Sequence, residues 1–65
     1  MRIGNIIELP KSGSSYGIVQ DEYGNRWTVD RGEIPEGSDA GDDYAYQVDF
    51  NHATSTPTLR HDQDR

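Results

Sequence analysis

A chain of 65 residues, 31% of them hydrophobic, has room for one small domain, and its core contributes little free energy against chain entropy. The absence of cysteine excludes a disulfide framework or a thiolate metal site and fits a cytoplasmic protein. Twelve acidic against six basic residues give a net charge of −6, which opposes long-range attraction to nucleic acid or anionic lipid. Adaptation to salt or genome composition explains the same bias equally well.

The N-terminal apolar run predicts a strand rather than a signal peptide, because Glu8 and Pro10 interrupt it early. No other stretch is long and apolar enough to predict a membrane span. Residues 3–9 therefore predict a first β-strand, which Pro10 ends because proline cannot donate to a ladder. Residues 11–15 are rich in serine and glycine and predict a flexible loop.

The strongest local pattern is a β-hairpin over residues 16–30. Val19, Trp27 and Val29 are β-forming residues at alternate positions, and Gly24 lies in the polar break between them. Trp27 is the only tryptophan in the chain. We expect its side chain to anchor the core.

The next segments predict a turn, a loop and a strand. Residues 31–35 predict a turn that tucks Ile34 under the loop, and residues 36–43 predict an acidic, mobile loop. Residues 44–50 alternate with period two, so one face of that strand is expected to be buried. The residues assigned to the buried face are Tyr44, Tyr46, Val48 and Phe50.

A short last strand over residues 56–60 contains Pro57, which indicates an edge of the sheet. We assign residues 1–60 to one domain and residues 61–65 to a flexible tail. Five short strands in so few residues predict an all-β fold, a small five-stranded antiparallel barrel in which closure removes exposed edges. An OB-type barrel and an SH3-like barrel both fit this pattern, and we expect a monomer.

Two segments resemble the RNA-binding motifs of the cold-shock domain, an OB-type barrel that binds single-stranded nucleic acid. Residues 15–19, Ser-Tyr-Gly-Ile-Val, are similar to the first motif, and residues 27–31, Trp-Thr-Val-Asp-Arg, followed by Ile34, are similar to the second. The resemblance covers residues 2–59 and implies the barrel fold. The matching inward positions are Ile6, Val19, Trp27, Val29, Ile34, Val48 and Phe50.

The resemblance also implies a binding face, although most of the aromatic rings that stack bases in the family are replaced here. Tyr16 keeps one ring, whereas Asp30 and Glu8 introduce negative charge. Because base stacking contributes about 1–3 kcal/mol per base, we expect weak binding of single-stranded nucleic acid. The residues implied for this face are Tyr16, Ile18, Arg26, Thr28, Arg31 and Lys11.

An acidic protein-interaction module is the alternative hypothesis. The loop that precedes the fourth strand concentrates acidic residues, and an adaptor or inhibitor with such a loop is expected to dock on a basic surface of a protein partner, such as the transcription or translation machinery. The residues proposed for this contact are Glu36, Asp39, Asp42 and Asp43.

Catalysis and metal binding are not predicted. His52 and His61 are the only histidines, and their spacing matches no known metal-ligand pattern. No nucleophile elbow is present, and the carboxylates fall in predicted loops and strand edges rather than in an apolar setting. We therefore expect no enzyme activity, no metal and no cofactor.

Overall fold

A computed structural model describes residues 2–62 of the chain, apart from the side chain of Asn51; residues 1 and 63–65 lie outside the described part. These residues form five antiparallel strands in one strongly curled sheet, a half-barrel, and the predicted all-β fold is confirmed. One short 3-10 turn, Arg31–Glu33, follows the third strand. The strands are β1 (Arg2–Glu8), β2 (Tyr16–Gln20), β3 (Arg26–Asp30), β4 (Asp43–Asn51) and β5 (Thr56–His61).

The strand order in the sheet is β3-β2-β1-β4-β5, so β1 pairs with both β2 and β4. This arrangement is compatible with an OB-like small β fold. β3 and β5 are the two edges of the sheet; curling brings them into contact with each other without a shared ladder. Because the register shifts between Ile6 and Glu8, β1 carries a bulge that increases its bend.

The core lies inside the curl and is made from the inward side chains of all five strands. Leu9, Trp27 and Ile34 are partly buried against it, so the prediction that Ile34 tucks under its loop is confirmed. Trp27, which the sequence predicted to anchor the core, packs against its side and is only partly buried. The buried hydrophobic residues are Ile6, Val19, Val29, Tyr44, Tyr46 and Leu59.

The prediction for the buried face of β4 is correct for its first half and wrong for its second. Tyr44 and Tyr46 are almost fully buried, at 1% and 2% exposure. Val48 and Phe50 are 41% and 53% exposed. In the described residues the ladder with β1 covers β4 from Asp43 to Tyr46, and Val48 and Phe50 lie outside it.

Two glycines allow the strands to approach closely. A Cβ atom on Gly17 would lie 2.7 Å from the carbonyl oxygen of Glu8 and 2.8 Å from Cδ1 of Ile34. A Cβ atom on Gly4 would collide with the carbonyl oxygen of Gln20. The tight packing of β1 on β2 therefore requires glycine at both positions.

The acidic loop and the C-terminal segment are more integrated into the sheet than the sequence predicted. The Ile6 N–H donates to the Asp42 carbonyl at 2.9 Å, and the Gly41 N–H donates to the Ile6 carbonyl at 2.7 Å. β5 continues to His61, and the Asp62 N–H donates to a β4 carbonyl. His61 and Asp62, which the sequence assigned to a flexible tail, are thus bonded to the sheet, and the other residues of that segment, 63–65, lie outside the described part.

Within residues 2–62 the structure contains no helix with the length and apolar character that a membrane span needs.

Candidate nucleic-acid interface

The outward face of β2 and β3 brings together four residues that the resemblance implied. Directly opposite residues in an antiparallel pair point to the same face. Ile18 pairs with Thr28, and Gln20 pairs with Arg26. Tyr16 lies on the same face at the end of β2 and is 53% exposed. Tyr16, Ile18, Arg26 and Thr28 therefore form one continuous surface, which we call the β2–β3 face.

A groove of about 280 Å³ runs beside Tyr16 and Ile18. The bulge in β1 pairs Glu8 with Ile18, which turns the Glu8 carboxylate toward this groove. Lys11 lies on the same rim, and its Nζ is 3.3 Å from Oε2 of Glu8. Both side chains are largely solvated, so this ion pair contributes only about 0–1 kcal/mol to stability and leaves Lys11 able to exchange partners.

Arg31 has a structural role that the sequence did not indicate. Its Nη2 donates to the carbonyl oxygens of Ser14 at 2.7 Å and Lys11 at 2.9 Å, and its Nε donates to the Ser14 carbonyl at 3.2 Å. Its backbone N–H donates to the Ser15 carbonyl at 2.8 Å. The guanidinium therefore holds the loop over residues 11–15, which was predicted to be flexible, against the start of the 3-10 turn.

The charge of the β2–β3 face is mixed. Arg26, Arg31 and Lys11 are basic, whereas Glu8 lines the groove and Asp30 lies opposite Tyr16. The two carboxylates oppose phosphate groups that approach the three basic side chains. The face and its surroundings are therefore not uniformly basic.

Asp21 organises the turn of the hairpin, and our sequence interpretation did not identify it. Its carboxylate accepts hydrogen bonds from Nε1 of Trp27 at 2.8 Å and from the N–H groups of Tyr23 and Asn25 at 2.9 Å. Burial alone raises the pKa of Asp21, but these hydrogen bonds outweigh it and the pKa lies below its ordinary value. An aspartate four residues before Asn25 is a local turn signal that could have revealed this role.

Glu33 closes the region where β5 meets the 3-10 turn. Its Oε1 accepts a hydrogen bond from the backbone N–H of His61 at 2.7 Å, on the outer edge of β5. Its carbonyl accepts from the hydroxyl of Tyr44 at 3.1 Å. Burial, together with the negative charge of Glu33, raises the pKa of Tyr44 to about 12. These contacts stabilise the curl, and they lie away from the groove.

The four acidic residues of the alternative hypothesis are all exposed, and they do not all belong to the loop. Oδ2 of Asp42 accepts a hydrogen bond from the Asp39 N–H at 2.9 Å. Asp43 is the first residue of β4, and its Oδ1 accepts a long hydrogen bond of 3.4 Å from Asn5. Glu36 precedes them at the start of the loop. Two of the carboxylates, those of Asp42 and Asp43, thus accept hydrogen bonds near the β1–β4 ladder.

Across the part of the chain that the structure describes, no three side chains of histidine, cysteine, aspartate or glutamate form a group suited to a metal ion. Each histidine contacts an aromatic ring instead. The ring centroids of His52 and Phe50 are 5.0 Å apart, and those of His61 and Tyr44 are 5.3 Å apart.

Comparison of this chain with protein families, with curated proteins and with solved structures found no match.

Proposed function

We propose that this protein is a non-catalytic, OB-like module that binds single-stranded nucleic acid weakly on the β2–β3 face. The observation that carries the proposal is the position of the exposed Tyr16 ring and Ile18 beside the groove, with Arg26 and Thr28 on the same face. An exposed aromatic ring on a curved sheet is a stacking platform, and basic side chains around it attract the phosphates of a flexible strand.

In this proposal the residues have different tasks. One base stacks on the Tyr16 ring, and Ile18 provides apolar contact at the groove. Arg26 and Lys11 approach phosphates, while Arg31 acts mainly by holding the loop that carries Lys11. A single ring contributes about 1–3 kcal/mol per stacked base, which explains why weak binding is expected.

Titration of the isotope-labelled protein with short single-stranded DNA and RNA, followed by NMR, tests this proposal. We expect shifts that cluster on the β2–β3 face at low salt and decrease at high salt, because phosphate contacts release counterions. Tyr16→Ala should weaken binding by about tenfold, in line with the loss of one stacking contact. Tyr23→Ala is the matched control, since Tyr23 is also an exposed tyrosine, at 71% exposure, but lies in the hairpin turn.

Equal affinity of the wild-type protein and the Tyr16→Ala variant would contradict the choice of face. Absence of shifts with either nucleic acid at low salt would contradict the function itself. Arg26→Ala is the better basic variant to compare, because Arg31→Ala would also release the loop over residues 11–15.

The second candidate function is an acidic docking module for a basic protein surface. It is favoured by the exposure of Glu36, Asp39, Asp42 and Asp43 and by the net charge of −6. Complementary charge mainly accelerates association. Changing Asp39, Asp42 and Asp43 to asparagine should therefore slow association with a basic peptide probe at low salt, as measured by stopped-flow fluorescence, and an unchanged rate would count against this candidate.

A further inference from the structure

Glu8 is a half-buried carboxylate on the side of the sheet that carries Tyr16. Ile6 pairs with Val19, and both side chains are buried in the core. With regular alternation Glu8, two residues after Ile6, would also point into the core. The bulge shifts the register so that Glu8 pairs with Ile18, and directly opposite residues share a face. The bulge therefore moves the Glu8 carboxylate to the outward side, beside the groove.

Glu8 and Tyr16 line the same groove and are diagonal neighbours across β1 and β2. Tyr16 is two residues from Ile18, the partner of Glu8, and such neighbours lie about 7–8 Å apart in a regular ladder. Leu9 and Ile18 add apolar walls, which reduce the competition of water for hydrogen bonds in the groove. A base that lies flat on the Tyr16 ring in this groove therefore turns one edge toward the Glu8 carboxylate.

The Glu8 carboxylate has acceptor capacity to spare. Its one partner within residues 2–62 is Lys11, whose Nζ lies 3.3 Å from Oε2. An ionised carboxylate only accepts hydrogen bonds, and its two oxygens together can accept about four of them. The Lys11 side chain is 79% exposed and the Glu8 side chain 44%. Two neighbouring N–H donors can therefore bind Glu8 without breaking the ion pair.

Guanine is the base whose Watson–Crick edge fits a carboxylate best. Its N1–H and N2 amino groups are adjacent donors, which match two carboxylate oxygens in a bidentate contact. Adenine and cytosine present an amino donor beside a ring-nitrogen acceptor, whereas thymine and uracil present one N–H between two carbonyl acceptors. Each acceptor that faces Glu8 is repelled by its negative charge. Such a contact selects a base, which phosphate contacts cannot do.

We propose that Glu8 gives the groove a preference for guanine, which stacks on Tyr16 and donates from N1–H and from its N2 amino group to the Glu8 carboxylate. This inference rests on the proposed binding of single-stranded nucleic acid and adds the base that the site selects. Because the charge of Lys11 offsets that of Glu8, the pair repels phosphates less than an isolated carboxylate would. Glu8 thus determines specificity, while the basic side chains attract the strand.

NMR titration of the isotope-labelled full chain with three short DNA strands at low salt tests this inference. The first strand contains only thymine, the second has a single guanine at its centre, and the third has hypoxanthine there, which keeps N1–H but lacks the N2 amino group. The wild-type protein should bind the guanine strand about tenfold more tightly than the thymine strand, as expected for a bidentate contact to a base. The hypoxanthine strand should bind with intermediate affinity.

Glu8→Gln keeps the shape of the side chain but removes its charge and its second acceptor oxygen. This variant should bind the guanine and thymine strands with closely similar affinity, and its affinity for the thymine strand should not fall, because a charge that repels phosphates is gone. Asp30→Asn is the matched control, since Asp30 lies opposite Tyr16 on β3 and lines a different cavity. It should keep the guanine preference. Trp27 fluorescence checks that both variants are folded.

The possible results separate this inference from the proposed function on which it rests. Equal binding of all three strands by the wild-type protein, or a guanine preference that survives Glu8→Gln, would overturn the role of Glu8 and leave the binding of single strands in place. Hypoxanthine that binds as tightly as guanine would overturn the contact through two donors. Absence of binding to any strand would overturn both the inference and the proposed function.

Discussion

At the scale of single residues, two buried polar groups determine how the curl is held. Asp21 gathers three N–H donors and thereby ties the half-buried indole of Trp27 to the hairpin turn. Tyr46 on β4 contacts the same turn from across the curl, since its hydroxyl accepts a hydrogen bond from the Glu22 N–H at 3.1 Å. Polar groups in such positions stabilise the fold only when they are paired, because burial without a partner costs about 1–3 kcal/mol.

The raised pKa of Tyr44 makes the free energy of unfolding decrease with pH in alkaline solution. Its pKa is about 12 in the folded chain, against 10.0 for an ordinary tyrosine. A group whose pKa is raised by folding contributes its full stabilisation at pH values below its pKa in the unfolded chain. For Tyr44 this stabilisation is lost as the pH rises from about 10 to about 12. We expect urea unfolding to show a falling free energy of unfolding across this range, with a smaller fall in Tyr44→Phe.

At neutral pH the same Tyr44→Phe change should cost about 1 kcal/mol, because it removes the hydrogen bond to the Glu33 carbonyl. Tyr23→Phe, at a solvent-exposed position, is the matched control. It should alter neither the free energy of unfolding at neutral pH nor the decrease of that free energy at alkaline pH. The same alkaline loss in Tyr44→Phe as in the wild type would assign the pH dependence to another group.

At the scale of elements, the contact of β1 with β2 depends on the missing side chain of Gly17. Gly17→Ala would press a methyl group against a backbone oxygen of Glu8 and against Ile34, and backbone atoms cannot move aside as a flexible side chain does. We expect a loss of about 1–3 kcal/mol in the free energy of unfolding, measured with denaturant.

Gly32→Ala is the control for Gly17→Ala, because a Cβ atom at Gly32 meets nothing within 4 Å. The free energy of unfolding of Gly32→Ala should stay within about 0.5 kcal/mol of the wild-type value. Similar losses in the two variants would contradict the role assigned to strand packing, because the lower entropy of the unfolded chain in a Gly→Ala variant by itself stabilises the protein.

At the scale of the whole molecule, the net charge of −6 means that any attraction of nucleic acid must come from a local group of basic side chains. Binding on the β2–β3 face should weaken as salt increases, because the counterions that phosphate contacts release return to a more concentrated solution. An NMR titration at several salt concentrations measures this dependence. Binding that does not change with salt would mean that phosphates are not contacted.

The sequence by itself determined the strand pattern and much of the core. Period-two alternation and the positions of glycine and proline predicted five strands, and Ile6, Val19 and Val29 are buried as predicted. It also placed Tyr16, Ile18 and Thr28 on one face, because their alternation with buried residues is a local property of the hairpin. Local patterns are sufficient for such features, since neighbours in sequence fix them.

Only the tertiary structure decided how far each strand is covered and which polar groups meet. Val48 and Phe50 continue the apolar pattern of β4, yet they are 41% and 53% exposed, whereas Tyr44 and Tyr46 on the same face are buried. Arg31 is tied to the loop over residues 11–15, and Glu33 to His61, by contacts between segments 17 to 28 residues apart. No local period encodes such contacts, because they depend on the curl of the sheet and on the register between its strands.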